Sequence, residues 1–150
     1  MNYEKTVKIT KWILDIMYYS GIIITITLPY TLKLAGRYYS KVIAYNYSLM
    51  LFTLGPAAIL GIMIIFQLRK MMKTVLDENC FVFGNVRSLE VMGILSIFIS
   101  AIFVLKMLFL PTPAAFIIII VFFVASLFSM VLSYVFRDAI NYKEENDFTI

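Results

Sequence analysis

The chain of 150 residues is 62% hydrophobic, with a mean hydropathy of +0.91, well above the ~45–50% apolar content of a soluble domain; so short a chain has no interior large enough to hide that much apolar surface. Its 13 Lys and Arg against 9 Asp and Glu leave a net charge of +4, but the bases gather at the ends of apolar runs, a pattern of membrane topology, so no direct nucleic-acid binding is expected. Histidine is absent and Cys80 is the only cysteine, which excludes an intrachain disulfide, an imidazole base and a Cys/His metal cluster.

Four apolar runs follow one another, roughly Trp12 to Leu32, Tyr47 to Leu68, Val91 to Leu110 and Ala114 to Phe136, each near the ~20 residues a helix needs to cross a bilayer. The predicted fold is an all-α integral membrane protein, one membrane domain of four transmembrane helices in an antiparallel bundle. A cytoplasmic loop is expected over 69–90 and a cytoplasmic tail over 137–150. The first run has the basic start and apolar core of a signal peptide, but Lys33-Leu34-Ala35 is a poor cleavage site and the run is long enough to span, so it is expected to stay as the first helix. In the second run, Gly55-Pro56 should introduce a kink, because proline lacks the backbone donor and its ring crowds the preceding turn. Pro111-Thr112-Pro113 is so short a turn that the third and fourth spans must form an antiparallel hairpin.

Small and hydroxyl residues recur at helical spacing within the spans: Gly21 and Thr25, Ala57 and Gly61, Ser96 and Ser100, then Ala125, Ser129 and Ser133. In lipid no hydrophobic drive brings helices together, so close backbone approach and interhelical hydrogen bonds select the faces that meet. Such stripes serve an intramolecular bundle and a homo-oligomer equally well. Orientation follows from the bases: nine Lys and Arg flank the spans on the side of the termini and four on the other. The bias places both termini in the cytoplasm. All nine acids then share the cytoplasmic side, leaving a purely cationic outer face.

Only two ionisable residues lie inside the apolar runs, where such groups are costly and invite a functional reading. Asp15 sits near the cytoplasmic end of the first span and is expected to pair with Lys11 at i−4. Lys106 sits near the outer end of the third and can snorkel to the headgroups. No midplane carboxylate is present to carry a coupling proton. Enzymatic motifs are also missing: without histidine there is no His-based triad or H-E-x-x-H site, the glycines form no phosphate-cradling cluster, and Asp77 and Glu78 near Cys80 oppose a nucleophilic thiolate. The chain is read as a non-enzyme with no cofactor and no metal.

Three segments remain as candidate binding surfaces. The outer loop from Lys33 to Asn46 sets Lys33, Arg37 and Lys41 among Tyr30, Tyr38, Tyr39, Tyr45 and Tyr47. It reads either as an interfacial belt in contact with membrane lipids or as a surface for an anionic ligand, such as lipid or cell-wall precursor phosphates. The cytoplasmic loop from Asp77 to Gly93 contains Phe81, Asn85, Val86 and Leu89. The C-terminal segment continues the last helix to about Lys143 or Glu145 before a cap or turn at Asn146 and Asp147, leaving Phe148, Thr149 and Ile150 as an apolar tip on an acidic stem that begins at Glu144 and Glu145. A free tail, a docking element for a partner and a tail folded back on the Phe81–Phe83 loop are all open from the residues alone.

Loop and tail together carry a family likeness. Phe81, Asn85, Val86, Leu89 and Gly93 match a loop of the form Phe-x-x-x-Asn-Val-x-x-Leu-x-x-x-Gly, and Glu145-Asn146-Asp147-Phe148-Thr149-Ile150 matches an ending such as Glu-Asn-Asp-Leu-Thr-Ile, with Phe148 for the usual Leu and Cys80 for a common proline. In these features the whole chain resembles the domain-of-unknown-function 2975 family of small bacterial four-span membrane proteins, often encoded beside a Cro/C1-type helix-turn-helix regulator. The resemblance implies a multi-pass protein of the bacterial cytoplasmic membrane whose loop and tail serve that regulator as a membrane-side partner or sensor. The competing expectations are self-immunity or envelope-stress protection against a membrane-active peptide, and a small transporter subunit.

Overall fold

The computed structural model describes residues 3–149. They form five helices: α1 (Tyr3–Tyr38), α2 (Lys41–Tyr45), α3 (Tyr47–Leu76), α4 (Phe83–Phe109) and α5 (Pro113–Phe148), with no strand among the described residues. The helices α1, α3, α4 and α5 are each long and apolar enough to cross a membrane. This is the solution lipid imposes, since a helix satisfies its own backbone donors and acceptors where no water can. The protein is therefore all-α with four membrane-spanning helices.

The helices outrun the apolar stretches that predict them. α1 starts at Tyr3 and not near Trp12, α3 continues to Leu76, and α5 reaches Phe148. Backbone hydrogen bonding has no reason to stop where hydropathy falls, and the polar ends contain good helix formers such as Lys, Glu and Met. Pro29 lies inside α1 and Pro56 inside α3. Each removes one donor from its ladder, yet neither breaks its helix.

Two turns shape the molecule. Between α4 and α5, the Thr112 hydroxyl accepts from the Ala115 N–H at 3.3 Å and Pro113 occupies the first helical turn, a cap and a pre-set φ that together start α5 sharply. The predicted hairpin forms. Between α3 and α4, Glu78 takes the left-handed conformation at φ 55°, so the Glu78 and Asn79 amides turn back onto the Val75 and Thr74 carbonyls and close the end of α3.

The packing runs from α4 outward. Twelve residues of α4 are buried, against four in α1 and one in α3. α5 lies antiparallel on one side of α4, with Gly93 beneath Met130 and the Ser100 hydroxyl donating to the Ile119 carbonyl at 3.2 Å. The core cluster of Ile99, Phe103 and Ala115 is covered by Leu54, Ala57, Leu60 and Ile64 from α3 and by Ile118, Ile119 and Phe122 from α5. α1 packs against α3 and the short α2, and its backbone stays clear of α4 and α5. The bundle is thus open on the side of α1.

Lys106 lies in the last turn of α4. It is only 8% exposed, with its ammonium 5.5 Å from the centre of the Phe103 ring. A cation over an aromatic face gains from the ring quadrupole, and the side chain is packed against its own helix α4.

Candidate functional site

The α3–α4 loop is built around Asn85. Its side-chain amide donates to the Thr74 hydroxyl at 2.6 Å and to the Cys80 carbonyl at 2.7 Å, and the Thr74 hydroxyl donates in turn to the Met71 carbonyl. One amide therefore ties the last turn of α3, the loop and the first turn of α4. Asn85, Val86 and Leu89 are 1%, 3% and 4% exposed. Their burial gives them a packing role, and any partner arriving at the loop meets Phe81, which is exposed and sets its ring 5.4 Å from that of Phe136. Gly93, the last residue of the same motif, lies close under α5: an added Cβ would lie 3.1 Å from Met130.

The tail differs from its expected form. No cap forms near Asn146, and the helix runs through Glu144, Glu145, Asn146 and Asp147 to Phe148, with the Thr149 hydroxyl donating back to the Glu145 carbonyl. Residues 141–149 are all exposed, and Phe148 is 89% exposed. Phe148 does not cover the loop, because Phe136, at the base of the extension, occupies Phe81 instead. Ile150 lies outside the described residues. A salt bridge from Arg137 to Glu90 joins the base of the extension to α4, so this part of α5 is held at its root and free at its tip.

At the opposite end, Lys33, Arg37 and Lys41 are exposed. The Lys33 ammonium lies 5.8 Å from the Tyr47 ring centre and the Arg37 guanidinium 6.0 Å from that of Tyr38. Gly36 lets α2 pack directly on α1, since a Cβ there would fall 3.0 Å from the Ala44 backbone. The Tyr47 hydroxyl donates to the Pro29 carbonyl at 3.3 Å.

Asp15 does not take Lys11 as its partner. The Arg69 Nε donates to Asp15 Oδ1 at 2.6 Å, and the same guanidinium lies 4.5 Å from the Tyr18 ring centre and 5.5 Å from that of Tyr19. Arginine offers a planar donor fork and a stacking face at once, which lysine cannot. The i−4 spacing to Lys11 hid this pair, whose members are 54 residues apart in sequence; the only available signal was a basic cluster at the end of the second apolar run. Among the described residues no three His, Cys, Asp or Glu side chains come together as a metal site.

A family model described as "Protein of unknown function (DUF2975)" matches residues 30–150. No curated protein and no solved structure matches. The matched stretch takes in the α3–α4 loop, the hairpin and the acidic extension, while Lys11, Asp15 and most of α1 precede it. On this evidence the chain is a multi-pass helical membrane protein and belongs to the DUF2975 family.

Proposed function

We propose that this protein is a non-enzymatic docking module of a bacterial cytoplasmic membrane, with both termini in the cytoplasm, and that the cytoplasmic part of α5 holds a small helix-turn-helix regulator there. The observation that supports this reading is the rigid extension of α5. The 36 residues from Pro113 to Phe148 make about ten turns of helix, more than a bilayer requires. Asp138, Glu144, Glu145 and Asp147 are all exposed on it, with Phe148 at its end. DNA-binding proteins carry a cationic surface for phosphates, and an acidic helix competes for that surface by charge complementarity. An exposed aromatic supplies the apolar anchor that charges alone do not.

The test is purification from the native host in mild detergent with mass spectrometry of what is retained. The full-length protein is compared with a variant carrying Glu144→Gln, Glu145→Gln, Asp147→Asn and Phe148→Ser. A DNA-binding protein kept by the first and lost by the second supports the reading. Equal retention, or none by either, removes its mechanism.

A second reading, protection against a membrane-active peptide, is favoured by the other end of the molecule. Lys33, Arg37 and Lys41 are exposed there with no acid in that loop. Host killing with and without the gene separates it from the docking reading, since a regulator tether alone need not change peptide sensitivity.

A further inference from the structure

Between α1 and α3, at the end of the bundle that carries the N-terminus, lies a cleft of about 310 Å³ lined by Lys11, Asp15, Phe66, Arg69, Lys70 and Lys73. Its charges do not balance. Asp15 and Arg69 neutralise each other at 2.6 Å, and among the described residues Lys11, Lys70 and Lys73 make no salt bridge. Three ammonium groups therefore surround a concavity with no anion of the protein's own to answer them. All three lie just beyond the ends of apolar runs.

The cleft does not end there. Phe66 also lines a second hollow, of about 330 Å³, formed with Tyr18, Ile62, Met63 and Gln67. On α1 the residues Lys11, Asp15 and Tyr18 are spaced i, i+4, i+7; on α3 Phe66, Lys70 and Lys73 repeat that spacing, with Met63 one turn deeper. Residues so spaced share a helix face, so the cationic cleft and the apolar hollow adjoin on one face of the α1–α3 pair, with Phe66 lining both. Phe66 and Tyr18 meet at their junction, with ring centres 6.2 Å apart. A soluble phosphate would use only the cationic cleft. An amphiphile with an anionic head and a chain uses both.

We infer that this groove is a binding site for one anionic phospholipid, its phosphate held by Lys11, Lys70 and Lys73 and one acyl chain laid along Tyr18, Met63 and Phe66. The Asp15–Arg69 pair is the back wall: it locks α1 to α3 and leaves the three lysines for the lipid. Basic pockets between spanning helices are a recurrent headgroup site. The assignment does not depend on what docks at α5.

The experiment uses full-length protein in vesicles of mixed phosphatidylglycerol and phosphatidylcholine with identical acyl chains, and native mass spectrometry to count each lipid retained after mild extraction. Phosphatidylglycerol should be retained in preference. Lys11→Gln, Lys70→Gln and Lys73→Gln should each weaken that preference about fivefold, the factor equivalent to the ~1 kcal/mol gained by one basic residue beside anionic lipid. Combined, they should abolish it. The matched control removes three charges from the other end, Lys33→Gln, Arg37→Gln and Lys41→Gln, and should leave it intact. Equal loss in both triple variants would mean general surface charge and overturn the site, as would unchanged retention in the first. Competition by deacylated glycerophosphoglycerol as effective as by intact lipid would overturn the chain-binding half. If the triple variant aggregates, the single variants decide.

Discussion

The α4–α5 hairpin and the α1–α3 pair are both antiparallel helix pairs of similar length, yet they are held together in opposite ways. Along α4 and α5 the contact is close and continuous: Gly93, Ser96, Ser100, Ser126, Ser129 and Ser133 are all buried, and small side chains let the two backbones approach so that van der Waals contact does the holding. Along α1 and α3 the contact is anchored by a few groups, chiefly Asp15 on Arg69, Gly21 on Ile62 and Tyr47 on Pro29. Open grooves flank it: the cationic one described above, and an apolar one of about 420 Å³ bordered by Met17, Gly21, Gly61, Ile65 and Phe122. The hairpin is the part that fixes the fold. α1 is a helix whose neighbours are largely lipid.

The largest expected difference follows from placing the same bulk in each pair. At Gly93 a Cβ already meets the Met130 side chain at 3.1–3.3 Å on a buried face, so Gly93→Leu must displace Met130 or part α5 from α4 and should cost about 3 kcal/mol. At Gly21 the nearest atom is Ile62 Cγ1 at 3.3 Å, with an open groove beside it, and Gly21→Leu should cost under about 1 kcal/mol, its new side chain entering the groove. Reversible unfolding in mixed micelles would read both. Similar losses at the two sites would break the comparison.

Asn85→Ala should come next, at about 2 kcal/mol. It removes two hydrogen bonds made by a side chain that is 1% exposed, those to the Thr74 hydroxyl and to the Cys80 carbonyl, which keeps only the Val82 N–H, and each such bond lost costs about 1 kcal/mol. The loss should appear first as faster amide exchange in residues 77–83, because that amide ties the loop to α3. Protection unchanged there would show that the loop is held by Phe81 on Phe136 alone.

Hydropathy made four spans legible, and two prolines in three residues made the hairpin legible, because both are local properties that lipid and backbone geometry enforce. The serine stripes of the third and fourth spans also read correctly as contacts: Ser96, Ser100, Ser129 and Ser133 are buried. The stripe in the second span divides. Ala57 packs on the core, whereas nothing lies within 4 Å of a Cβ at Gly61, since spacing marks a face without saying what stands opposite. The binding residues were less legible for the same reason. Asn85, Val86 and Leu89 stand out as a polar and apolar motif in a loop, but they lie in the first turns of α4 and are buried there, and a motif does not say what packs on it. Asp15 had a local basic neighbour and chose a distant one, because Arg69 offers a hydrogen-bonding fork and two tyrosine faces to stack on. Lys106 is buried beside Phe103, a contact that its position near the end of an apolar run does not signal.

The smallest stability effect should come from Asp15→Asn, and it links the α1–α3 pair to its groove. Both partners are partly exposed, at 25% for Arg69 and 32% for Asp15, so losing the ion pair should cost no more than about 1 kcal/mol. The change in charge is another matter. Removing the carboxylate frees Arg69 as a fourth cation beside Lys11, Lys70 and Lys73, so a slightly less stable protein should hold phosphatidylglycerol several-fold more tightly. Most substitutions that loosen a helix pair weaken whatever binds between its helices; here the two should move in opposite directions. Native mass spectrometry beside an unfolding curve for this one variant distinguishes a groove that is a lipid site from one that is merely a gap in the packing, in which case retention would fall with stability or stay unchanged.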